Sequence, residues 1–154
     1  MNTATQPFVI LLVEDENTDA YLVKWALGEN RIMADFHHAY DGYEALAFLR
    51  RLGPSLANAP RPDLILLDLS MPSMGGLECL AAIKQDSALS DIPVVVLTTS
   101  HAKSDMDASR NLGAVDYFTK PMDIHQLVET MRVLGERWIT PRATAQAHIG
   151  GESV

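Results

Sequence analysis

In Asp63-Leu-Ile-Leu-Leu-Asp-Leu-Ser-Met-Pro72 four aliphatic residues, Leu64–Leu67, follow Asp63 and run directly into a second acid, Asp68. A short unbroken apolar run bounded in this way is the pattern of a strand covered on both faces, as in the parallel sheets of α/β proteins. Asp68 then stands at the carboxyl end of its strand, where open parallel sheets bind their ligands. The arrangement repeats in both directions along the chain. Glu14 and Asp15 follow Phe8–Val13, Thr98 follows Val94–Leu97, and Lys120 comes just after the short run Val115–Phe118. A more polar candidate, Phe36–Tyr40, reads as an edge strand.

Helical patterns separate these strands. Asn17 is the expected cap of a helix on which Tyr21, Leu22, Trp25 and Ala26 recur at helical spacing. Asp41 and Glu44 form a capping-box-like start to a second helix that faces Ala45, Leu46, Phe48 and Leu49 inward and stops at Gly53. Gly76–Lys84 carries Leu77, Leu80 and Ile83, and the last helix aligns Ile124, Leu127, Val128, Met131, Leu134 and Trp138 on one stripe. The fourth, about Ala102–Leu112, offers only Ala102, Met106 and Leu112 as anchors. Two readings stay open for it: a mobile segment beside the site, or a helix packed through small alanines. Alternation of β and α elements implies parallel strands joined by right-handed crossovers.

The 154 residues suit one domain, expected over residues 8–139, with a loose arm at 1–7 and a tail at 140–154 too short for a second fold. A formal charge of −8 opposes nucleic-acid binding, which needs clustered Lys and Arg. The single Cys79 excludes an intramolecular disulfide and any multi-cysteine metal site. Neither a signal peptide nor a membrane span is expected, so a cytoplasmic protein is.

Three acids, a hydroxyl and an amine gathered at one end of a sheet are suited to receiving a phosphoryl group beside a divalent cation. Mg²⁺ prefers oxygen ligands and binds through one or two carboxylates with water and substrate oxygens. Asp15 and Asp68 suit direct coordination, and Glu14 suits coordination directly or through water. Asp68 is the expected nucleophile, giving an aspartyl phosphate. Lys120 and Thr98 can each contact a phosphoryl oxygen. His37 and His38 make a poor chelate, because successive strand residues point to opposite faces.

The segments Leu11-Leu-Val-Glu-Asp-Glu16, Asp63–Pro72, Val94-Val-Val-Leu-Thr98 and Asp116-Tyr-Phe-Thr-Lys-Pro121 resemble the receiver domain of bacterial response regulators over nearly the whole fold. The resemblance implies a flavodoxin-like (βα)5 three-layer sandwich with a five-stranded parallel sheet of order 2-1-3-4-5. It implies that Asp68 accepts phosphoryl from a sensor histidine kinase, and that the backbone carbonyl of Ser70 joins Glu14, Asp15 and Asp68 around Mg²⁺. Tyr117 matches the aromatic that swings inward as Thr98 moves, and a cis bond before Pro121 is expected. Such a domain is a signalling module rather than a classical enzyme.

Asp41-Gly-Tyr-Glu-Ala-Leu-Ala-Phe-Leu-Arg50, the loop Pro54–Pro62, Leu97-Thr-Thr-Ser100 and Glu136-Arg-Trp-Ile139 resemble stand-alone regulators paired with bacterial phytochromes. In that group the segment after the last helix takes part in dimer contacts, so Trp138 and Ile139 either dock on a second copy or close their own core. A downstream phosphotransfer protein is a further expected partner. The chain departs from the family in placing Glu14 where an aspartate is commoner and Thr99 where a smaller residue is usual. Two rival readings are a binding-only receiver and an aspartate-nucleophile phosphatase. The second lacks an acid two residues after Asp68, where Ser70 stands.

Overall fold

A computed structural model describes residues 7–139. The expected arm, except for Pro7, and the tail from Thr140 lie outside the described residues. Five strands and five helices alternate: β1 (Val9–Val13), α1 (Asn17–Glu29), β2 (Asp35–Ala39), α2 (Gly42–Arg50), β3 (Leu64–Leu67), α3 (Gly76–Gln85), β4 (Val94–Thr98), α4 (Lys103–Asn111), β5 (Asp116–Thr119) and α5 (Ile124–Trp138). A 3₁₀ turn at Pro54–Leu56 interrupts the long α2–β3 connection. All strand pairs are parallel, in the order β2-β1-β3-β4-β5. This is the flavodoxin-like sandwich that the sequence implies.

Side-chain alternation along the strands builds two cores, one on each face. Ile10, Leu12, Leu64, Leu66, Val95 and Leu97 point towards α1 and α5, where Val23, Leu27, Leu127, Met131 and Leu134 meet them. Leu11, Val13, Ile65, Leu67 and Val94 face α2 and α3, against Leu46, Leu49, Leu80 and Ile83. Every residue of β1, β3 and β4 is buried, which is why their sequences show no polar alternation. β2 and β5 form the two edges and are only half-buried, apart from Ala39.

Several local expectations are corrected. Asn17 is the first helical residue of α1, and Glu16 before it makes no side-chain cap. The helix buries Ala20, Val23, Ala26 and Leu27, and the expected Leu22 and Trp25 are half-buried against the same core, whereas Tyr21 is 65% exposed. α2 begins as expected, with the Asp41 carboxylate accepting from the Glu44 N–H at 2.8 Å. It ends earlier than Gly53, in a left-handed Arg51 (φ 54°). Arg51 N–H to Phe48 and Leu52 N–H to Ala47 close a Schellman motif there, and the Arg51 guanidinium donates to the Ala59 carbonyl at 2.7 Å. Gly53 instead turns the chain into the 3₁₀ segment. In α5 Ile124 is exposed, although the rest of the stripe packs inward. No peptide bond among the described residues is cis, that before Pro121 included; trans is the intrinsically favoured form even before proline.

α4 buries a single residue, Ser109, with Met106 and Leu112 only half-buried and Ala102 exposed. The sparse anchoring read from its sequence is therefore a property of the fold, and alanine packing does not make up for it. At the far end of α5, Ile139 is buried within its own core, and Trp138 is half-buried with its indole N–H on Asp116 at 2.8 Å.

Two glycines give opposite predictions. A Cβ on Gly76 would lie 2.3 Å from the Asp68 carbonyl oxygen and 2.5 Å from Leu69 Cα, both backbone atoms. Gly76→Ala should therefore destabilise the protein by about 1–3 kcal/mol in urea unfolding. Gly28 near the end of α1 has nothing within 4 Å of such a Cβ, so Gly28→Ala should stabilise by about 0.5–1 kcal/mol.

Candidate functional site

The register of the sheet sets Val13 beside Ala39 on one side and Leu67 on the other, so the residues that follow β1 and β3 emerge together. Glu14, Asp15 and Asp68 each place a carboxylate oxygen within 4.8 Å of the others. Glu14 is 1% exposed and Asp68 6% exposed, whereas Asp15 remains accessible. Among the described residues the buried polar side chains are Glu14, Asp68, Thr98 and Ser109. Three of the four stand at this end of the sheet, so polarity is concentrated where the strands end.

Lys120 reaches the cluster from just beyond β5. Its backbone is held by an N–H bond to the Thr98 carbonyl at 2.7 Å. Its ammonium donates to Glu14 Oε1 and to Asp19 Oδ2 at 3.2 Å, and lies 3.5 Å from Asp68 Oδ2. The contact with Asp68 is thus the longest of the three. Asp68 keeps one oxygen towards that amine, and the other accepts from the Ser70 N–H at 3.2 Å.

Burial pushes the Glu14 carboxyl up to about 7. The charge of Asp68 adds to that effect, and the hydrogen bond and charge of Lys120 only partly oppose it. For Lys120, burial acts to remove the proton, but the Glu14 hydrogen bond and the charges of Asp68, Glu14 and Asp19 outweigh it and hold the amine above its ordinary value. The site thus carries more negative charge than one ammonium balances. Its donors are hard carboxylate oxygens, one of them accessible, which is the donor set that suits Mg²⁺.

On the β4 side, Thr98 is buried and its hydroxyl accepts from the Ser100 N–H at 3.4 Å, a long bond. Ser100 is a small hub. Its carbonyl accepts from the Tyr117 hydroxyl at 3.0 Å, and its own hydroxyl donates to Asp105 at 2.6 Å and accepts from the Ala102 N–H at 3.2 Å. Thr98, Tyr117 and the first turn of α4 therefore meet on one residue. Tyr117 is half-buried and held by that bond, and is not an unattached strand-end aromatic.

The sequence places two further participants near the site without giving either a contact. Asp19 falls with the acids beside Asp68, but no spacing records its pairing with Lys120, which comes from the far end of the chain. Ser100 flanks the site, and a serine two residues after Thr98 carries no spacing that marks its hydrogen bonds. His37 and His38 do point apart: His37 pairs with Asp35 at 3.0 Å, and His38 contacts the Glu14 carbonyl. Cys79 is a buried thiol pushed up to about 12 by burial, and is inert.

Residues 10–132 match the family model described as the response regulator receiver domain. The chain is 44% identical over 133 residues to response regulator Rcp1 of Synechocystis sp., covering 86% of this chain and 90% of that protein. The crystal structure of the phosphorylated cyanobacterial phytochrome response regulator RcpA aligns with a TM-score of 0.82 and 41% identity, over 88% of this chain and 96% of that one. The Mn²⁺-bound form of response regulator Rcp1 aligns with a TM-score of 0.80 and 43% identity, over 88% of this chain and 99% of that one. Receiver domains bind Mg²⁺ at their acidic pocket, and Glu14, Asp15 and Asp68 give this chain that pocket. Among the described residues, no helix is long and apolar enough to cross a membrane.

The raised Glu14 sets a pH dependence. Its folded-state pKa lies above the unfolded value of 4.5, so the stability that its proton confers is present at low pH and lost as pH rises through about 7. A divalent cation competes with that proton. Mg²⁺ affinity measured by calorimetry should accordingly rise between about pH 6 and pH 8, with proton release on binding at the lower pH. Glu14→Gln should flatten the dependence.

Proposed function

The chain belongs to the response regulator receiver family, and we propose that it is a phosphorylation switch whose acceptor is Asp68. The observation that carries this reading is the Asp68 carboxylate itself: buried at the end of β3, one oxygen held by the Ser70 N–H, the other facing the Lys120 ammonium. A carboxylate fixed in this way has a single oxygen free to attack. The phosphoryl donor in this proposal is the phosphohistidine of a sensor histidine kinase of the bacteriophytochrome type, a reading supported by the similarity to Rcp1 and RcpA.

In the transfer, an Asp68 oxygen forms a bond to phosphorus as the phosphorus–nitrogen bond breaks. The departing imidazole keeps the electron pair and takes up a proton. Glu14, Asp15, Asp68 and the Ser70 carbonyl would hold Mg²⁺, which when bound offsets the charge that gathers on the phosphoryl oxygens. Lys120 already lies 3.5 Å from Asp68, so a small motion away from Glu14 and Asp19 brings its ammonium to a phosphoryl oxygen. Thr98 donates its hydroxyl to another.

The phosphate adds about −1.5 to −2 of charge and three acceptor oxygens. Turning the Thr98 hydroxyl inward surrenders only the long bond from the Ser100 N–H. Ser100 then shifts, carrying the Tyr117 hydroxyl on its carbonyl and Asp105 on its side chain. Because α4 buries only Ser109, it resists such a shift weakly, and the α4–β5 surface is where the phosphorylated state is read by a partner or a second copy. Self-association at the end of α5 narrows to Trp138, since Ile139 lies inside its own core. A downstream phosphotransfer protein would meet the same accessible end of the sheet.

Incubation with a small acyl phosphate and Mg²⁺ tests the assignment by intact mass. One phosphoryl group per chain is expected, lost on treatment with hydroxylamine and absent in Asp68→Asn; stoichiometric labelling of that variant would refute Asp68 as acceptor. Ser100→Ala should leave phosphorylation intact but shrink the phosphorylation-dependent amide shifts across residues 103–111. It should cost about 1 kcal/mol of stability through its lost hydrogen bonds.

A further inference from the structure

His38 stands at a break in the β1–β2 ladder. The ladder keeps one register, Val9 opposite Asp35 through Val13 opposite Ala39, in which the Asp35 N–H donates to the Phe8 carbonyl at 2.8 Å and the Glu14 N–H donates to the Ala39 carbonyl at 2.9 Å. Continued by one rung, the same register would bring the Asp41 N–H to the Glu14 carbonyl. β2 ends at Ala39, however, and Asp41 turns away to cap α2. The His38 ring takes the vacated position, with Nε2 2.6 Å from the Glu14 carbonyl oxygen. A carbonyl only accepts, so Nε2 is the protonated nitrogen. The Tyr40 ring, with its centroid 4.1 Å from that of His38, backs the imidazole.

The bond matters because the Glu14 carbonyl belongs to the peptide that joins Glu14 to Asp15. With the Ala39 carbonyl on its N–H, the Lys120 ammonium on Oε1 and the Glu16 N–H on Oε2 at 3.1 Å, Glu14 is already fixed at three other points. His38 supplies the fourth, and it is the one that orients the peptide plane leading to Asp15. We propose that His38 is a positioning residue for the acidic cluster: its Nε2–H replaces the missing ladder bond and sets the spacing of the Glu14 and Asp15 carboxylates for a divalent cation. The proposal rests on reading that cluster as the metal site.

Calorimetric titration with Mg²⁺ alone tests it on four proteins: the wild type, H38L, H38Q and H37L. H38L should bind Mg²⁺ roughly tenfold more weakly. H38Q, whose side-chain amide keeps an N–H near the same point, should restore wild-type affinity. H37L loses the Asp35 contact and the ring contact with Phe48, neither of which touches the acidic cluster, and should bind as the wild type does, which separates positioning from simple loss of an edge-strand histidine. Wild-type affinity in a folded H38L would overturn the inference. Absence of Mg²⁺ binding in the wild type would instead overturn the metal-site reading, and this inference with it. Imidazole ¹⁵N shifts of the wild type give an answer even if H38L fails to fold: a hydrogen-bonded Nε2–H is expected, and the Nδ1–H tautomer would refute the bond.

Discussion

Lys120, an ammonium whose side chain is 8% exposed, holds together carboxylates from three places in the chain: Glu14 after β1, Asp19 in α1 and Asp68 after β3. Without that charge, two buried acids and their neighbours would repel one another at the end of the sheet. The backbone makes the encounter unavoidable. Parallel strands share a direction, so residues that follow β1, β3 and β5 must emerge on the same side, and the order β2-β1-β3-β4-β5 sets β1 and β3 next to each other. Burial above all, with the charge of Asp68 adding to it, is why Glu14 retains a proton so readily, and because one amine does not neutralise the set a divalent cation suits it.

The same geometry links chemistry to surface. Lys120 is tied through its own N–H to the Thr98 carbonyl, and the Thr98 hydroxyl meets Ser100, to which Tyr117 and α4 are attached. From Lys120 beside Asp68, three hydrogen bonds (Lys120 to Thr98, Ser100 to Thr98 and Ser100 to Asp105) thus lead to the α-helix with the fewest buried residues. The two cores beneath are densely apolar and hold the rest of the sheet still. In the proposed switch, the fully buried strands β1, β3 and β4 would position the reaction and the loosely anchored α4 would report it.

Much of this was legible in the sequence. Leu64–Leu67 and Val94–Leu97 are aliphatic because both faces of those strands are covered, and continuous burial leaves a clear trace in residue type. Asp68, Glu14, Asp15, Thr98 and Lys120 stood out because each polar residue follows an apolar run. What escaped depends on where elements stop and which way they are rotated. On the α1 stripe only Tyr21 was misplaced, since it is adjacent to the buried Ala20 and both fit a helical period. Arg51 rather than Gly53 ends α2, because its guanidinium finds the Ala59 carbonyl and offsets an unfavourable left-handed backbone. His38 acquires its contact only because β2 stops one rung before Glu14 runs out of partners, and no local pattern records that.

The similarity to RcpA and Rcp1 extends over nearly all of the described chain, so the site does not depend on a few matched motifs. At that site we propose that Asp68 takes a phosphoryl group beside a metal ion. The most direct measurement is ¹⁹F NMR of the protein with beryllofluoride and Mg²⁺, since beryllofluoride stands in for the phosphoryl group on an aspartate and needs no kinase. Bound, Mg²⁺-dependent signals that vanish in Asp68→Asn are predicted. A folded wild-type protein with no bound signal, or an Asp68→Asn variant that retains it, would contradict the account.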